Sequence, residues 1–155
     1  MKLTQKDRRI IRALQQDASR SFKDLAEALD MSPASVWRSV QELEKAGLIT
    51  RRVALTDPIK LGLAVSVVVQ VHLKDHSQEN RKAFEQMVAN EAMITQCCSL
   101  AGGFDYFLMV RAEDMEAFET FMMMKLLSHP AVATTNSNVV MREQKFTTEL
   151  PVPGL

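Results

Sequence analysis

Apolar residues recur every three or four positions along the first fifty residues, the spacing typical of amphipathic helices. Three such stripes, separated by polar breaks, cover residues 10–14, 22–29 and 36–43. The pattern predicts three short helices, of which the second and third are joined by about three residues. Two helices joined so closely form a helix-turn-helix arrangement, whose second helix enters the major groove of DNA.

The third predicted helix covers residues 33–45 and has sequence signals at both ends. Ser32 can cap its first turn, Pro33 suits the first helical position, and Gly47 suits the left-handed position after the last turn. The apolar stripe is expected to face the core, so the polar residues off the stripe should face solvent or DNA. With the capping serine, the predicted DNA-binding residues of this helix are Ser32, Ser35, Trp37, Arg38, Ser39 and Gln41.

Trp37 and Arg38 have the most distinctive chemistry in this set. An arginine can pair bidentately with guanine or with a phosphate, which makes Arg38 the strongest candidate for a DNA contact. A tryptophan is seldom exposed without a partner, so Trp37 could either insert into the groove or pack within its own domain. The sequence leaves both alternatives for Trp37 open.

Charge is distributed unevenly along a chain whose formal net charge is zero. Residues 1–52 carry eleven basic and seven acidic side chains, a net charge of +4, which leaves −4 for the remainder. This asymmetry indicates that only the front of the chain meets a polyanion. Residues 48–55 are rich in β-forming residues and contain Arg51 and Arg52, so a hairpin or wing there would place both arginines beside DNA phosphates.

From residue 63 the apolar period changes to two, which predicts a long strand ending near residue 73. The elements expected to follow are a helix capped by Ser77, strands over residues 93–101 and 104–111, a helix between Asp114 and Pro130, and a strand over residues 132–147. The order β-α-β-β-α-β is the ferredoxin-like arrangement. The expected fold class is therefore α+β, with an N-terminal winged helix-turn-helix domain and a C-terminal ferredoxin-like domain.

These elements predict a helix-turn-helix domain over residues 1–55 and a βαββαβ domain over residues 63–150. Residues 56–62 are the expected linker and residues 151–155 the expected tail. Helices cover only one face of such a sheet. On the other face, the first strand carries small and partly apolar side chains. A second copy of the sheet is the expected cover, which predicts a homodimer whose two-fold axis matches a pseudo-palindromic operator in double-stranded DNA.

Cysteines and histidines offer little sign of metal or redox chemistry. Cys97 and Cys98 are neighbours on a predicted strand and point to opposite faces, so buried thiols are expected instead of a disulfide or metal site. His72 and His76 fall at a strand end and in a loop, and no metal or cofactor is expected. No apolar run is long enough for a membrane span and the N-terminus lacks the core of a signal peptide, so a cytoplasmic protein is expected.

Catalysis is not expected either. Asp105 and Asp114 could act as paired carboxylates, but no nucleophile, oxyanion pocket or phosphate-binding glycine motif accompanies them. The competing hypothesis is a ferredoxin-like ligand-binding domain, or a small dimeric enzyme, whose N-terminal helices serve only packing and which does not bind DNA.

Three groups of residues follow one another with a characteristic spacing. They are Ser32-Pro33 with Val36, Arg38, Val40, Leu43-Glu44 and Gly47-Leu48-Ile49, then Leu55-Thr56-Asp57-Pro58 with Leu61-Gly62, and then Gly102-Gly103-Phe104-Asp105-Tyr106. In this order they resemble the Lrp/AsnC (feast/famine) family of transcription regulators. The resemblance implies a DNA-binding domain followed by a RAM-type domain that dimerises, assembles dimers into tetramers or octamers, and binds an amino acid or related effector between dimers.

The resemblance also implies an effector site. Residues 102–106 correspond to a turn that lies at this site in the family, although two glycines alone indicate only a tight hairpin turn with positive φ. An acidic position after the third strand and the start of the last strand also lie at the site in relatives. The implied effector-binding residues are Gly102, Gly103, Phe104, Asp105, Tyr106, Asp114, Thr134, Thr135 and Asn136.

Overall fold

The computed structural model describes residues 2–154, and the chain forms two compact units. One unit contains the residues up to Leu55 together with those from Lys145 onward, and the other is Thr56–Gln144. The expected tail begins at residue 151. The C-terminal segment that belongs to the first unit begins six residues earlier, at Lys145.

The N-terminal unit contains three helices, α1 (Gln5–Gln16), α2 (Phe22–Leu29) and α3 (Pro33–Lys45). Each begins at a hydroxyl cap that accepts a backbone N–H three residues on, as the sequence predicts. The apolar stripes of the three helices meet in one core, whose fully buried members include Ile10, Leu25, Val36, Val40 and Leu43.

The turn between α2 and α3 is short because Asp30 takes a left-handed conformation, with φ of 54°. After α3, Gly47 has φ of 71°, and the N–H of Leu48 bonds back to the carbonyl of Leu43 at 3.0 Å. The predicted glycine stop is therefore confirmed.

The expected hairpin or wing after α3 is absent from the described part of the chain. Residues 50–57 form neither helix nor strand, and Val53 and Leu55 are exposed. The prediction was wrong because a hairpin needs two β-forming runs separated by turn residues, and residues 48–55 provide only one run.

The C-terminal unit is built on a four-stranded antiparallel sheet in the order β2-β3-β1-β4. Its elements are β1 (Val65–Leu73), α4 (Gln78–Asn90), β2 (Ile94–Ser99), β3 (Tyr106–Ala112), α5 (Met115–Phe121) with a following π-helical turn (Met122–Leu126), and β4 (Val132–Val139). The predicted ferredoxin-like order is confirmed.

Alternate residues of β1 separate the two faces of this sheet. Val67, Val69 and Val71 are fully buried and pack in one core with Phe84 of α4 and Leu126. The opposite face has no helix on it among the described residues, and there Val68, Phe107 and Met109 are only half-buried. The sheet therefore has one dry face and one open, partly apolar face.

The last strand ends at Val139, eight residues before the predicted end at about residue 147. The cause is the length of its neighbour: Val139 pairs with Val67, and the N–H of Val140 bonds to the carbonyl of Ser66, close to the start of β1. Beyond that point β1 offers no further partner, so the β-forming residues that follow remain without ladder bonds.

The end of the chain lies along the outer face of α1, within the N-terminal unit. Gln15 Nε2 donates to the carbonyl of Leu150 at 3.0 Å, and the N–H of Leu150 donates to Gln15 Oε1 at 2.7 Å. Arg8 Nε donates to the carbonyl of Pro153 at 2.7 Å. These contacts join residues well over one hundred positions apart and were not foreseen from the sequence.

Gln15→Ala is expected to lower the free energy of unfolding of the N-terminal unit by about 0.5–1.5 kcal/mol, because both hydrogen bonds to Leu150 are lost. Urea denaturation followed by Trp37 fluorescence measures the change. Gln16→Ala is the matched control, since within residues 2–154 its hydrogen bond to the tail is a 3.5 Å one between the exposed side chains of Gln16 and Glu149. Equal midpoints for Gln15→Ala and the wild type would contradict the tail contact.

Candidate functional sites

The outer face of α3 presents an aromatic ring, a cation and an amide beside one another. Trp37 is 53% exposed, and Arg38 and Gln41 are also exposed, while Ser35 is half-buried. The helix is fixed from behind by its buried valines and leucine, so these side chains are held outward on a rigid support. Trp37 is thus outside the core of its own unit, contrary to the packing alternative.

Ser39 does not belong to this outer face. It is only 1% exposed, and its Oγ has no hydrogen-bond partner among the described residues. The expectation that Ser39 faces DNA was wrong because the buried face of a helix includes position i+3 as well as i+4 and i+7. Counted from Val36, Ser39 is that i+3 position.

Ser39→Ala is expected to leave the free energy of unfolding unchanged or to raise it by up to about 1 kcal/mol. Alanine removes a buried hydroxyl that lacks a partner and favours the helix slightly more than serine. Affinity for DNA should stay within about twofold of wild type, since no atom of Ser39 reaches the outer face. Thermal unfolding and a DNA titration measure the two effects, and a large loss of affinity would contradict the burial of Ser39.

The N-terminal end of α3 carries two further candidates. Ser32 is exposed, and its Oγ accepts the N–H of Ser35 at 3.3 Å, so its hydroxyl serves the helix cap. Lys6 of α1 lies beside it, with Nζ 3.4 Å from Ser35 Oγ. Lys6 could not be identified from the sequence, because its contact with Ser35 depends on how α1 packs against α3.

The two arginines after α3 differ in their surroundings. Arg52 Nη2 lies 2.8 Å from Glu44 Oε1, and its guanidinium sits 5.9 Å from the centre of the Phe22 ring. Arg51 is exposed and has no ion pair within residues 2–154. Arg52 is therefore held on its own unit, whereas the charge of Arg51 is available to a partner.

The turn between β2 and β3 is fastened to the end of β1 by Asp105. Its N–H donates to the carbonyl of Val71 at 2.9 Å, and its carboxylate accepts the N–H of Leu73 at 2.8 Å. The other carboxylate oxygen lies 2.7 Å from Nε2 of His76. The hydrogen bond from the Leu73 N–H, and to a smaller extent the one from His76, holds the pKa of Asp105 below its ordinary value.

Gly102 and Gly103 form the exposed tip of this turn. A turn with positive φ was expected here, but neither glycine has a positive φ. Their backbone conformation therefore does not require glycine. A Cβ at either position would meet nothing within 4 Å. The two glycines therefore leave open space over the backbone, into which a ligand or another subunit could fit.

The strand pairing places the predicted residues of β3 and β4 on both sides of β1. His72 pairs with Thr134 and Gln70 with Asn136, while the Phe104 ring stacks on His72 with 4.6 Å between centroids. Phe104, Thr134 and Asn136 are thus brought to one end of the open sheet face.

Two predicted effector residues face the other way. Tyr106 is buried, and its hydroxyl donates to Glu85 of α4 at 2.8 Å; burial and then Glu85 raise the pKa of Tyr106 to about 12. Thr135 pairs with Val71 and shares its face of the sheet. Tyr106 and Thr135 therefore belong to the helix-covered side and not to the open face.

Asp114 lies apart from the glycine turn. The seven residues of β3 separate them, a distance of about 20 Å along the strand. Asp114 caps α5, accepting the N–H of Ala117 at 2.8 Å, and borders a shallow cavity of about 490 Å³ with Glu91, Phe121 and Lys125. One subunit does not bring Asp114 and the turn into a single site.

The two cysteines differ in exposure. Cys97 is half-buried and Cys98 is exposed, so the expectation of two buried thiols was wrong for Cys98. Within residues 2–154, no three His, Cys, Asp or Glu side chains are grouped so that they could hold a metal ion. Over the same residues, no helix has the length and apolar character needed to cross a membrane.

Comparison with known proteins matches both units. Residues 3–50 match a family model described as winged helix-turn-helix DNA-binding, and residues 66–150 match one described as Lrp/AsnC ligand binding domain. The DNA-binding transcriptional activator DecR of Escherichia coli K12 is 32% identical over 146 residues, which is 94% of this chain and 96% of DecR. The proline dehydrogenase transcriptional activator of Rhodobacter capsulatus is 36% identical, covering 87% and 88% of the two chains.

Solved structures agree over nearly the full length. A transcriptional regulator of Neisseria meningitidis, crystallised as its L-Met complex, matches with a TM-score of 0.95 and 30% identity over 98% of both chains. An AsnC family regulator of Agrobacterium tumefaciens matches with a TM-score of 0.91 and 34% identity, covering 96% of this chain and 97% of that one. Together with the helix-turn-helix unit and the ferredoxin-like unit, these matches show that the protein belongs to the Lrp/AsnC family of DNA-binding transcriptional regulators.

Proposed function

We propose that the outer face of α3 reads the major groove of an operator. The observation that carries this proposal is the exposure of Trp37, Arg38 and Gln41 on a helix whose ends are capped and whose opposite face is buried in the core. Arg38 donates to guanine or phosphate, Gln41 can pair with adenine, and Trp37 contacts a base edge or sugar. Ser32, Ser35 and Lys6 approach the phosphates beside the N-terminal end of α3.

The open face of the sheet pairs two copies of the chain. Val68, Phe107 and Met109 leave apolar area on a face that no helix of the described residues covers. Packing this face against its own copy about a two-fold axis removes that area from water and repeats the reading helix symmetrically. Two such helices fit half-sites about 34–36 Å apart, so the operator is pseudo-palindromic.

An amino acid is the proposed effector, and the glycine turn is part of its site. The turn leaves backbone open at Gly102 and Gly103, next to Phe104, Thr134 and Asn136. Asp114 is distant within one subunit, so it joins the turn only if another copy supplies it. A site shared between copies ties effector binding to assembly into tetramers or octamers, and the relative crystallised with L-Met suggests methionine as a first ligand.

Regulation follows from this linkage. An effector that favours one assembly state changes DNA affinity by the coupling free energy, typically about 1–3 kcal/mol. The protein acts on DNA in the cytoplasm and has no catalytic role in this proposal, because its two matched parts are a DNA-binding and a ligand-binding domain.

Fluorescence anisotropy of labelled promoter DNA, with and without each amino acid, tests the proposal. The expected result is saturable binding at low salt and a shifted midpoint with at least one amino acid. Absence of binding at low salt would refute the DNA-binding role of α3, and identical curves with every amino acid would refute the effector role of the turn.

Arg51→Ala is expected to lower the slope of log K against log[salt] by about one, because one phosphate contact is lost. Arg52→Ala should lower it less, since Arg52 is already paired with Glu44. Both variants should weaken all DNA sequences alike. Anisotropy titrations at several salt concentrations measure the slopes, and equal slopes for wild type and Arg51→Ala would contradict the phosphate contact.

A further inference from the structure

Two histidines converge on one carboxylate at the glycine turn. His76 Nε2 lies 2.7 Å from Asp105 Oδ1, and His72 Nδ1 lies 3.6 Å from Oδ2. The Asp105 side chain is 20% exposed, whereas that of His76 is 73% exposed and that of His72 42%. Protons from solvent therefore reach both imidazoles, while the carboxylate they share is largely shielded.

Asp105 controls the position of the whole turn. Its backbone bonds to Leu100 at one end and Val71 at the other, and its side chain holds the N–H of Leu73. Phe104, the preceding residue, stacks on the ring of His72. Any change in how firmly the histidines hold Asp105 is therefore transmitted to residues 100–105 and to the open face beside them.

The charged groups that face these histidines are two aspartates. Asp105 faces both histidines, and Asp75 faces His76. The carboxylate of Asp75 accepts hydrogen bonds from the N–H of Ser77 at 2.8 Å and from the side chain of Asn80 at 2.8 Å. Hydrogen bonds from Ser77 and Asn80 keep the pKa of Asp75 below its ordinary value. The pKa of Asp105 is also lowered, mainly by the Leu73 N–H. Both carboxylates thus stay ionised where imidazoles gain protons, and the cluster passes from two negative charges to none.

We propose that His72 and His76 are positioning residues for the glycine turn and that protonating them tightens the turn on β1. A neutral His76 gives the ionised Asp105 one hydrogen bond, and a neutral His72 at 3.6 Å adds none. Protonated rings turn the His76 contact into a hydrogen-bonded ion pair and add a charge–charge attraction from His72. In so far as the turn binds the effector, which rests on the proposed function, effector affinity rises as the pH falls from about 8 to about 5.5.

Hydrogen exchange of the full chain, corrected for intrinsic rates, tests the positioning role without any ligand. The hydrogen-bonded amides of Leu73, Leu100 and Asp105 should be about three- to tenfold better protected at the lower pH than at the higher one, because both histidine contacts with Asp105 become ion pairs. Amides of the Val67–Val110 pair, which lies at the other end of the β1–β3 ladder from Asp105, serve as the internal reference. Equal protection of the turn at both pH values would overturn the proposal.

The matched variant is His72→Phe with His76→Gln. Phenylalanine keeps a ring against Phe104 and glutamine keeps an N–H donor toward Asp105, but neither takes up a proton. If the histidines have only a structural role, the protection of the turn in the double variant should depend on pH as it does in the wild type. The proposal predicts that protection in the double variant does not depend on pH. A double variant whose turn still gains protection at low pH would therefore contradict the assignment of the protons to these histidines.

Calorimetric titration with L-methionine separates this proposal from the proposed function. Wild type should bind more tightly at the lower pH, and the double variant should bind with one affinity at both. If no amino acid binds at either pH while the exchange profile still depends on the histidines, the effector role of the turn fails and the positioning role stands. If methionine binds with pH-independent affinity and the exchange profile is flat, the positioning role fails and the effector role stands.

Discussion

Replacing Phe84 with alanine is expected to lower the free energy of unfolding of the C-terminal unit by about 3–5 kcal/mol, the largest stability effect we predict. Phe84 is fully buried, with its ring centre 4.7 Å from that of Tyr106 and 6.0 Å from that of His129. Alanine would leave a cavity between α4 and the covered face of the sheet. The loss is a large fraction of the about 5–15 kcal/mol by which native proteins are usually stable.

Hydrogen exchange of the β1 amides at increasing urea measures this loss, because β1 lies in the C-terminal unit whereas circular dichroism would also report α1, α2 and α3. Phe84→Leu is the matched control and should cost only about 1 kcal/mol, since it retains most of the buried volume. A Phe84→Ala protein as stable as the wild type would contradict the position of Phe84 in the core.

Replacing Arg38 with alanine is expected to weaken operator binding by about 1–3 kcal/mol, or about 5- to 150-fold. The guanidinium is the cation on the outer face of α3, between Trp37 and Gln41 in the chain, and its exposure means that no packing is lost. The free energy of unfolding should therefore change by less than about 0.5 kcal/mol. Discrimination at the contacted base pair should fall as well.

Anisotropy titrations with the operator and with single-base variants of it measure both effects. Lys82→Ala is the control, because Lys82 is an exposed cation on α4 of the other unit. That variant should bind within about twofold of wild type. Equal losses for Arg38→Ala and Lys82→Ala would mean that the measurement reports general charge and not a contact by α3.

The elements best predicted from the sequence are those whose signals are local. The bounds of α3 follow from Ser32, Pro33 and Gly47, each of which acts within one helical turn. The order of strands and helices follows from the change of apolar period. The error at Ser39 has a local cause too, since a polar residue at position i+3 hides a buried position from a count of apolar residues alone.

Features that depend on distant partners could not be predicted in this way. The end of β4 is set by where β1 begins, and the tail contact joins Gln15 to Leu150. The contact of His76 with Asp105 crosses 29 positions of sequence and needs the sheet to be formed first. At the candidate effector site, the resemblance named Asp105 but gave no sign of the histidines that hold it.

Trp37 is the only tryptophan of the chain, so its fluorescence tests the central claim directly. It stands half exposed on the face of α3 that we propose for DNA. Titration with the operator should quench and shift its emission in step with the anisotropy of the labelled DNA, and added salt should reverse both. An emission spectrum that stays unchanged while the anisotropy shows saturated binding would contradict a DNA interface on α3.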